Sequence, residues 1–419
     1  MTAPHRRSAC PGLSAPMPTG DGLLMRLMPA GRIPLDAFIA ICAAARAHGN
    51  GAIEITARGS LQLRGLTPRS APLLASDIAA LDIAAVEGVP VIADPLADDP
   101  DALIDAAGLA TMLRGAIANA RLALAPKVSV VIDGGCRLHL DALNADVRLR
   151  AVGTARAPRL HVALAGDAGS ATPLGSIAPS AAADVVLGLL GAIAARGRET
   201  RAADILRTDG SGAFRSCVDG SIDPAPVLPS RPPAEPIGRH PLRDGSLALG
   251  VALAFGHAHA NALEELARAA ASHGVGALRP APGRALLLLG VAQDRATALT
   301  IAAERLGFVV RADDPRRHIA ACPGKPACAS GLIAARALAT EIARQLPLSR
   351  EIAAIHVSGC AKGCAHPASA ALTVVGTEHG CGIVRDGSAR ATPRYHVDAA
   401  DVVAEALRIA AERKEPVHG

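Results

Sequence analysis

Apolar positions along the chain fall into two matching successions. Leu23 to Met28 and Leu247 to Phe255 are short apolar runs of strand type, followed by alanine-rich stretches of helical period, Asp36 to Ala47 and Ala260 to Ser272. Glycines close each helix within a shared pattern, His48-Gly49-Asn50-Gly51-Ala52-Ile53-Glu54 and His273-Gly274-Val275-Gly276-Ala277-Leu278-Arg279, at constant offset. Paired strand-like runs follow in both copies: Ala52 to Thr56 with Ser60 to Arg64, and Ala277 to Pro280 with Ala285 to Gly290. The repeated unit is strand, helix, strand, strand, which marks an internal duplication. So small a half-sheet cannot cover its own apolar face, and the two copies are expected to pack together about a pseudo-two-fold axis.

Between the copies, roughly Leu66 to Arg215, the pattern predicts helices over Asp101 to Leu124 and Ala181 to Arg196 and strands over Val128 to Asp133 and Leu160 to Ala165. Ile222 to Pro241 holds seven prolines and predicts an extended linker. A second α/β segment follows, with a helix expected over Ala329 to Gln345 and a strand over Ile352 to Val357. The expected fold class is α+β, a duplicated architecture with two ferredoxin-like half-domains (19–68 and 242–312), two α/β segments (69–220 and 313–413) and a linker (221–241).

Composition narrows what such a fold can do. Half of the 419 residues are apolar but only 1% are aromatic, with no Trp and one Tyr, so cores must rest on Ala, Leu, Val and Ile. Aromatic base-stacking is poorly served. Forty-three Lys and Arg against 38 Asp and Glu give +5, spread along the chain, which disfavours nucleic acid and suits a polyanionic small molecule. Met1 to Pro18 lacks an apolar signal core, and the longest uncharged apolar stretch, Val185 to Ala195, is too short for a bilayer. A soluble cytoplasmic protein without membrane partners is expected.

Nine cysteines in a reducing compartment point to ligands or core thiols rather than disulfides. Cys322-Pro-Gly-Lys-Pro-Ala-Cys328 and Cys360-Ala-Lys-Gly-Cys364 form C-x5-C and C-x3-C loops, 31 residues apart. Gly, Ala and Pro between the thiols let backbone approach the sulfides of a [4Fe–4S] cubane. Zinc pairs are usually tighter. Cys42, Cys136, Cys217 and Cys381 read as small buried hydrophobes, and Cys10, in Ala9-Cys10-Pro11-Gly12, remains open.

With its duplicated half and these two cysteine loops, nearly the whole chain resembles the sulfite and nitrite reductase superfamily. Thr56-Ala57-Arg58-Gly59-Ser60-Leu61-Gln62 is similar to that family's T-x-R-x-x-x-Q segment, and the resemblance gives Arg58 a place over a tetrapyrrole. Pro126-Lys127-Val128-Ser129 resembles the segment that carries two lysines in the sulfite reductases, but only Lys127 matches and Ser129 stands in the second place. Lys362 occupies the last cysteine loop where the reductases generally have Asn. Together with Arg7-Ser8-Ala9-Cys10-Pro11-Gly12, Gly20-Asp21-Gly22-Leu23 and Ser358 to Pro367, these departures resemble a cobalamin-pathway oxygenase branch of the superfamily.

That resemblance implies an oxygen-dependent monooxygenase that hydroxylates a meso carbon of precorrin-3A and closes a γ-lactone with a ring acetate. Carboxylates of such a substrate need guanidinium forks, and Arg26, Arg64 and Arg284 lie on or beside the repeated strands. Dioxygen does not react directly with a closed-shell ring, and no G-x-G-x-x-G stands between a strand and a helix, so electrons are expected from a separate reductase using NADH or ferredoxin. The resemblance also implies a mononuclear non-haem iron, for which His257, His259 and His366 are candidates. The alternative is a sirohaem-dependent sulfite or nitrite reductase, with Cys364 bridging to the sirohaem iron. A third reading, an iron–sulfur carrier or tetrapyrrole-binding sensor, needs the cluster but not the Arg58 region.

Overall fold

The computed structural model describes residues 11–218, 222–224, 226–349 and 353–412. Cys10 and the segment Arg7 to Cys10 lie outside the described residues.

The first repeat comprises β1 (Met17–Thr19), β2 (Gly22–Leu27), β3 (Ile33–Pro34), α1 (Leu35–His48), β4 (Ala52–Ile55), β5 (Leu61–Leu66) and α2 (Ser70–Ala79). The first α/β segment contains β6 (Val91–Ala93), α3 (Ala106–Ala120), β7 (Val130–Asp133), β8 (Ala145–Thr154), β9 (Ala157–Gly166), β10 (Thr172–Ile177), α4 (Ala182–Ala195), α5 (Ala202–Asp209) and α6 (Gly212–Arg215). The second repeat runs through β11 (Gly238–Pro241), β12 (Leu247–Ala252), β13 (His257–His259), α7 (Ala260–Ser272), β14 (Ala277–Ala281), β15 (Ala285–Val291) and α8 (Ala296–Arg305). β16 (Ile319–Ala321), α9 (Ala335–Gln345), β17 (Ile355–Ser358), β18 (Ala370–Thr377), β19 (Gly380–Gly387), β20 (Tyr395–Val397) and α10 (Val402–Glu412) complete the chain.

Among the described residues, the strands form four five-stranded sheets, ordered β1-β2-β5-β4-β13, β10-β9-β8-β7-β6, β11-β12-β15-β14-β3 and β16-β17-β18-β19-β20. The two repeat sheets exchange edge strands: β13 pairs with β4, placing His257 opposite Glu54, and β3 pairs with β14, placing Ile33 opposite Leu278. Helices α1 and α7 pack against each other over one core that joins Phe38, Ile41, Leu63, Leu263, Leu278 and Leu288. Neither half-sheet closes alone, so each completes the other's edge and apolar face.

The α/β segments are duplicated as well. In each, three parallel strands are followed by two antiparallel ones, with a helix between the first pair (α3, α9). Both of these helices begin later than their apolar pattern predicts, for one shared reason. Leu103 donates its amide to the Gly134 carbonyl at 2.8 Å, and Leu332 donates to that of Gly359 at 2.7 Å. The residues ahead of each helix are thereby held by the loop after the next strand; Asp105 then caps α3 through Gly108. The strand expected to reach Phe255 stops at Ala252, because Phe255 takes a left-handed φ of 59° and turns the chain. The linker is not solvated throughout: Gly238–Pro241 joins the second repeat sheet as β11. Among the described residues, no helix is long and apolar enough to cross a membrane.

Candidate active site

On the sheet of the first repeat, apolar residues face the shared core and the alternate positions are polar. Arg26 on β2 stands opposite Gln62 on β5, which stands opposite Glu54 on β4, and Glu54 in turn faces His257 on β13. Strand periodicity therefore lays a row of four polar side chains across one face. With its amide turned so that both groups find complementary partners, Gln62 accepts from Arg26 Nη2 at 2.9 Å and donates to Glu54 Oε2 at 3.1 Å. Arg64, only 7% exposed, forks onto Asp21 through Nε and Nη2 at 2.8 and 2.7 Å and reaches Glu54 at 3.1 Å. Arg336, from the second residue of α9, meets the other Glu54 oxygen at 3.1 Å. Burial works against ionisation of Asp21, yet the Arg64 guanidinium holds its carboxyl below the usual range.

The cysteine loops leave the C-terminal ends of β16 and β17. Cys322 is buried, Cys328 and Cys360 are half-buried, and Cys364 is exposed. Gly359 donates its amide to Cys322 Sγ at 3.0 Å. Burial and the neighbouring Cys360 and Cys328 push the Cys322 thiol up; burial, followed by the other three thiols, does the same to Cys364, where Arg64 pulls the other way. The four thiols come from two loops at neighbouring strand ends, and a cubane takes one thiolate at each iron corner.

Two glycines shape the cradle. A Cβ on Gly20, in the turn before β2, would stand 2.3 Å from Cys328 Sγ, and one on Gly359 would stand 3.3 Å from Cys322 Sγ and 3.0 Å from Gly324 Cα. The donor set and this close backbone suit a [4Fe–4S] cluster. Lys362 donates to Ser330 Oγ at 2.9 Å, tying one cysteine loop to the turn that ends the other. Arg284, held at φ 63°, donates to the Ala365 carbonyl at 3.0 Å and braces the Cys364 loop.

Arg58 sits at the tip of the β4–β5 hairpin, bridged to Pro282 of the opposite hairpin. It donates to Ser129 Oγ at 3.5 Å and to the Asn144 carbonyl. The structure thus joins the Arg58 and Lys127–Ser129 segments, with Lys127 exposed beside them. Arg26 also lines a cavity of about 420 Å³ with Pro126 and Val128. Arg64 donates to Asp21 and Glu54, and Arg284 Nη2 donates to the Ala365 carbonyl. Several groups around the polar face remain without a partner: Arg26 Nε, Arg336 Nε and His257 Nδ1 are buried and unbonded. Burial, with Arg336 and Arg64 nearby, pushes the His257 imidazole down to about 3.

The three histidine candidates do not form one ligand set. His259 Nδ1 caps α7 by accepting from Asn261, and His366 lies edge-on to His356 at 5.7 Å with Nε2 at 3.2 Å from the Ser369 carbonyl. Among the described residues, the one tight group of His and carboxylate is Asp133, His139 and Asp141, which contains none of them. Cys42, Cys136 and Cys381 are core thiols as expected, whereas Cys217 is exposed and donates to the Ala213 carbonyl at 3.4 Å. Glu54 and Arg336 were not singled out in the sequence, and Asp21 entered only as part of Gly20-Asp21-Gly22-Leu23. Glu54 had a signal, a charge alternating with Ile53 and Ile55; Arg336 had none, since its contact spans 282 residues.

Residues 15–81 match the nitrite/sulfite reductase ferredoxin-like half domain. The chain is 39% identical over 401 residues to a precorrin-3B synthase from Sinorhizobium sp., covering 94% of this chain and 86% of that protein. A sulfite reductase [ferredoxin] 2 from Mycolicibacterium paratuberculosis is 30% identical over 159 residues, 36% of this chain and 28% of that one. The solved structure of the Mycobacterium tuberculosis NirA protein superposes with a TM-score of 0.74 at 17% identity, covering 95% of this chain and 82% of NirA, so the duplicated architecture is shared.

Proposed function

The chain belongs to the precorrin-3B synthase family, and from that premise we propose that it hydroxylates a meso carbon of precorrin-3A with dioxygen and closes a γ-lactone, in cobalamin biosynthesis. The observation that carries this reading is the approach of the cysteine loops' four thiols to an arginine-bearing polar face, where Gly20 of the Asp21 turn lies against Cys328 and Arg64 forks onto Asp21.

Cys322, Cys328, Cys360 and Cys364 would hold a [4Fe–4S] cluster, which supplies single electrons when bound. The polar face would seat the macrocycle. Arg26, whose Nε is free, and Arg58 offer guanidinium groups to ring carboxylates or to an oxygen-bearing intermediate. Arg64 and Arg284 act one step back: the first fixes the Gly20–Asp21 turn against Cys328, and the second fixes the Cys364 loop. Glu54, shared between Arg64 and Arg336, keeps two guanidinium groups apart on a crowded face. Lactone closure asks only that a substrate carboxylate be held beside the oxidised carbon, which is a matter of positioning. Lys127, exposed beside Arg58, would attract the polyanion.

Labelled dioxygen tests the reading. With precorrin-3A and an electron donor, the product should gain one labelled oxygen at the meso carbon, while the lactone ring oxygen comes from the acetate. Sulfite and nitrite should turn over poorly, since Ser129 stands where a second cation would be needed. Rapid sulfite reduction with an unlabelled tetrapyrrole would establish the reductase reading in its place.

A further inference from the structure

Away from the thiols, a cavity of about 1010 Å³ lies over β8, β9 and β10. Cys322, Cys328, Cys360 and Cys364 do not line it, nor do Arg26, Arg64 or Lys127. Its roof is the proline-rich linker, which crosses as a strap from 226 to 236 rather than collapsing onto the sheet. Both ends of the strap are pinned. Asp223 forms a two-hydrogen-bond bridge with Ser176. At the other end Arg231 binds Asp133 and Asp141, His139 Nε2 meets the Pro232 carbonyl at 2.9 Å, and Arg317 meets Glu235 at 2.6 Å.

The space is not demanded by the fold. Registers place Thr373, Val375 and Gly382 of the last sheet where Arg148, Arg150 and His161 stand here. In the last sheet that face is filled, with Ala389 packed on Val375 and Val384, and Pro393 against Gly382. In the middle sheet the β9–β10 connection is a tight turn, the face stays open, and it carries cations. Arg150 and His161 are cross-strand partners whose side chains make no hydrogen bond among the described residues; Arg150 has a long ion pair with Asp141 at 4.0 Å. Burial keeps both groups below their ordinary values, and the neighbouring arginines add to this at each. Arg148, by contrast, is spent on the carbonyls of Leu140 and Leu143.

We propose that this strapped cavity is a second binding site, for a flat, largely apolar, carboxylate-bearing molecule of tetrapyrrole size. Its volume stands at the upper end of the roughly 300–1,000 Å³ of small-molecule sites. Leucine and proline walls suit an apolar ring, and the Arg150–His161 pair offers two adjacent donors to a carboxylate. A nucleotide is disfavoured, since among the described residues no helix N-terminus lines the cavity to cradle phosphates. The inference does not depend on the oxygenase reading.

Mesoporphyrin, an apolar macrocycle with two propionates, titrated into the holoprotein and followed by its fluorescence, tests the site. Arg150→Ala should weaken binding roughly tenfold, as loss of a charged hydrogen bond does. Ala171→Trp, which fills the rim while keeping every charge, should do the same and stands in if Arg150→Ala does not fold. Cluster absorption in the same samples should be unchanged, and its absence would count against the cysteine assignment alone. The proposal is overturned if mesoporphyrin does not bind, if both variants bind it as the parent does, or if only Arg58→Ala abolishes binding.

Discussion

At the end of β16, Cys322 receives the amide of Gly359; at the matching end of β6, Asp94 receives the amide of Gly134. Registers make these positions equivalent, since Ala321 pairs with Val357 as Ala93 pairs with Ile132. What each end faces is different. The cysteine end looks onto Arg26, Gln62 and Arg64, whose counterparts on the second repeat sheet, by register, are Gly250, Leu287 and Leu289. There Leu96 and Leu138 fill the gap against Ala248 and Leu287 in a small core. Burial, and behind it Asp133, pushes the Asp94 carboxyl up, while burial brings the nearby Arg279 guanidinium down to about 10. One scaffold thus makes two loop pairs of the same geometry, and side chains alone decide that one carries thiolates before a polar face and the other closes as core.

Substitution at the two ends should expose that difference most strongly at the thiols. Replacing any one of Cys322, Cys328, Cys360 or Cys364 with Ser should strip the cluster and abolish turnover, because a hard alcohol replaces a soft thiolate. Iron and sulfide counts with turnover read it, and full values for both in any one variant would remove that cysteine from the set. At the opposite end Cys136→Ala should leave the cluster intact and cost about 1 kcal/mol of stability, the scale of an ordinary core truncation.

The next largest effect belongs to Arg58, the residue that reaches from the repeat hairpin to the middle sheet. Arg58→Ala should lower turnover roughly 10²–10³-fold, the scale of a lost transition-state donor, with iron content unchanged. Arg58→Lys should recover part of it, since a point charge cannot reproduce the fork. Parent kinetics in the alanine variant would make this arginine a purely structural tie between the sheets.

Asp21 tests whether the polar face is costly as well as useful. Asp21→Asn removes the carboxylate on which Arg64 forks, and should destabilise the fold by about 3 kcal/mol because a buried guanidinium loses its main partner. Glu54 remains at 3.1 Å and keeps the loss from being larger. Denaturant unfolding measures it; a midpoint equal to the parent's would mean that water replaces the carboxylate.

Much of this comparison was legible beforehand. The duplicated patterns at His48 and His273 fix the repeats, and C-x5-C with C-x3-C fixes the thiols, because glycine placement and ligand spacing are local properties. The second duplication was expected as two α/β segments, but what the open face of the middle one meets was not legible. β8 carries Asp146, Arg148 and Arg150 between apolar residues, an alternation that does show a strand with one polar face. What that face meets depends on a strap some 80 residues later, and no local pattern encodes it. Edge-strand exchange was hidden for the same reason: Ile33–Pro34 is too short to read as a strand and exists only through its pairing with β14.

His257 offers the finest probe of the polar face. Its imidazole is pushed down from 6.5 to about 3, chiefly by burial and further by Arg336 and Arg64, so it stays neutral in the folded chain at any physiological pH. In the unfolded chain the same ring takes a proton near pH 6.5. Between those values the unfolded state binds one proton more than the folded state. Stability is therefore complete above about pH 6.5 and falls as the pH drops towards 3, at up to about 1.4 kcal/mol per pH unit from this one group. His257→Asn should remove that part of the slope and leave stability near pH 8 to depend on packing alone. Chemical unfolding of both proteins between pH 8 and pH 4.5 measures the difference. Parallel pH profiles would mean that the imidazole is hydrated in the folded chain, and the face around Arg26, Glu54 and Arg336 would then be open to water instead of held dry for a ligand.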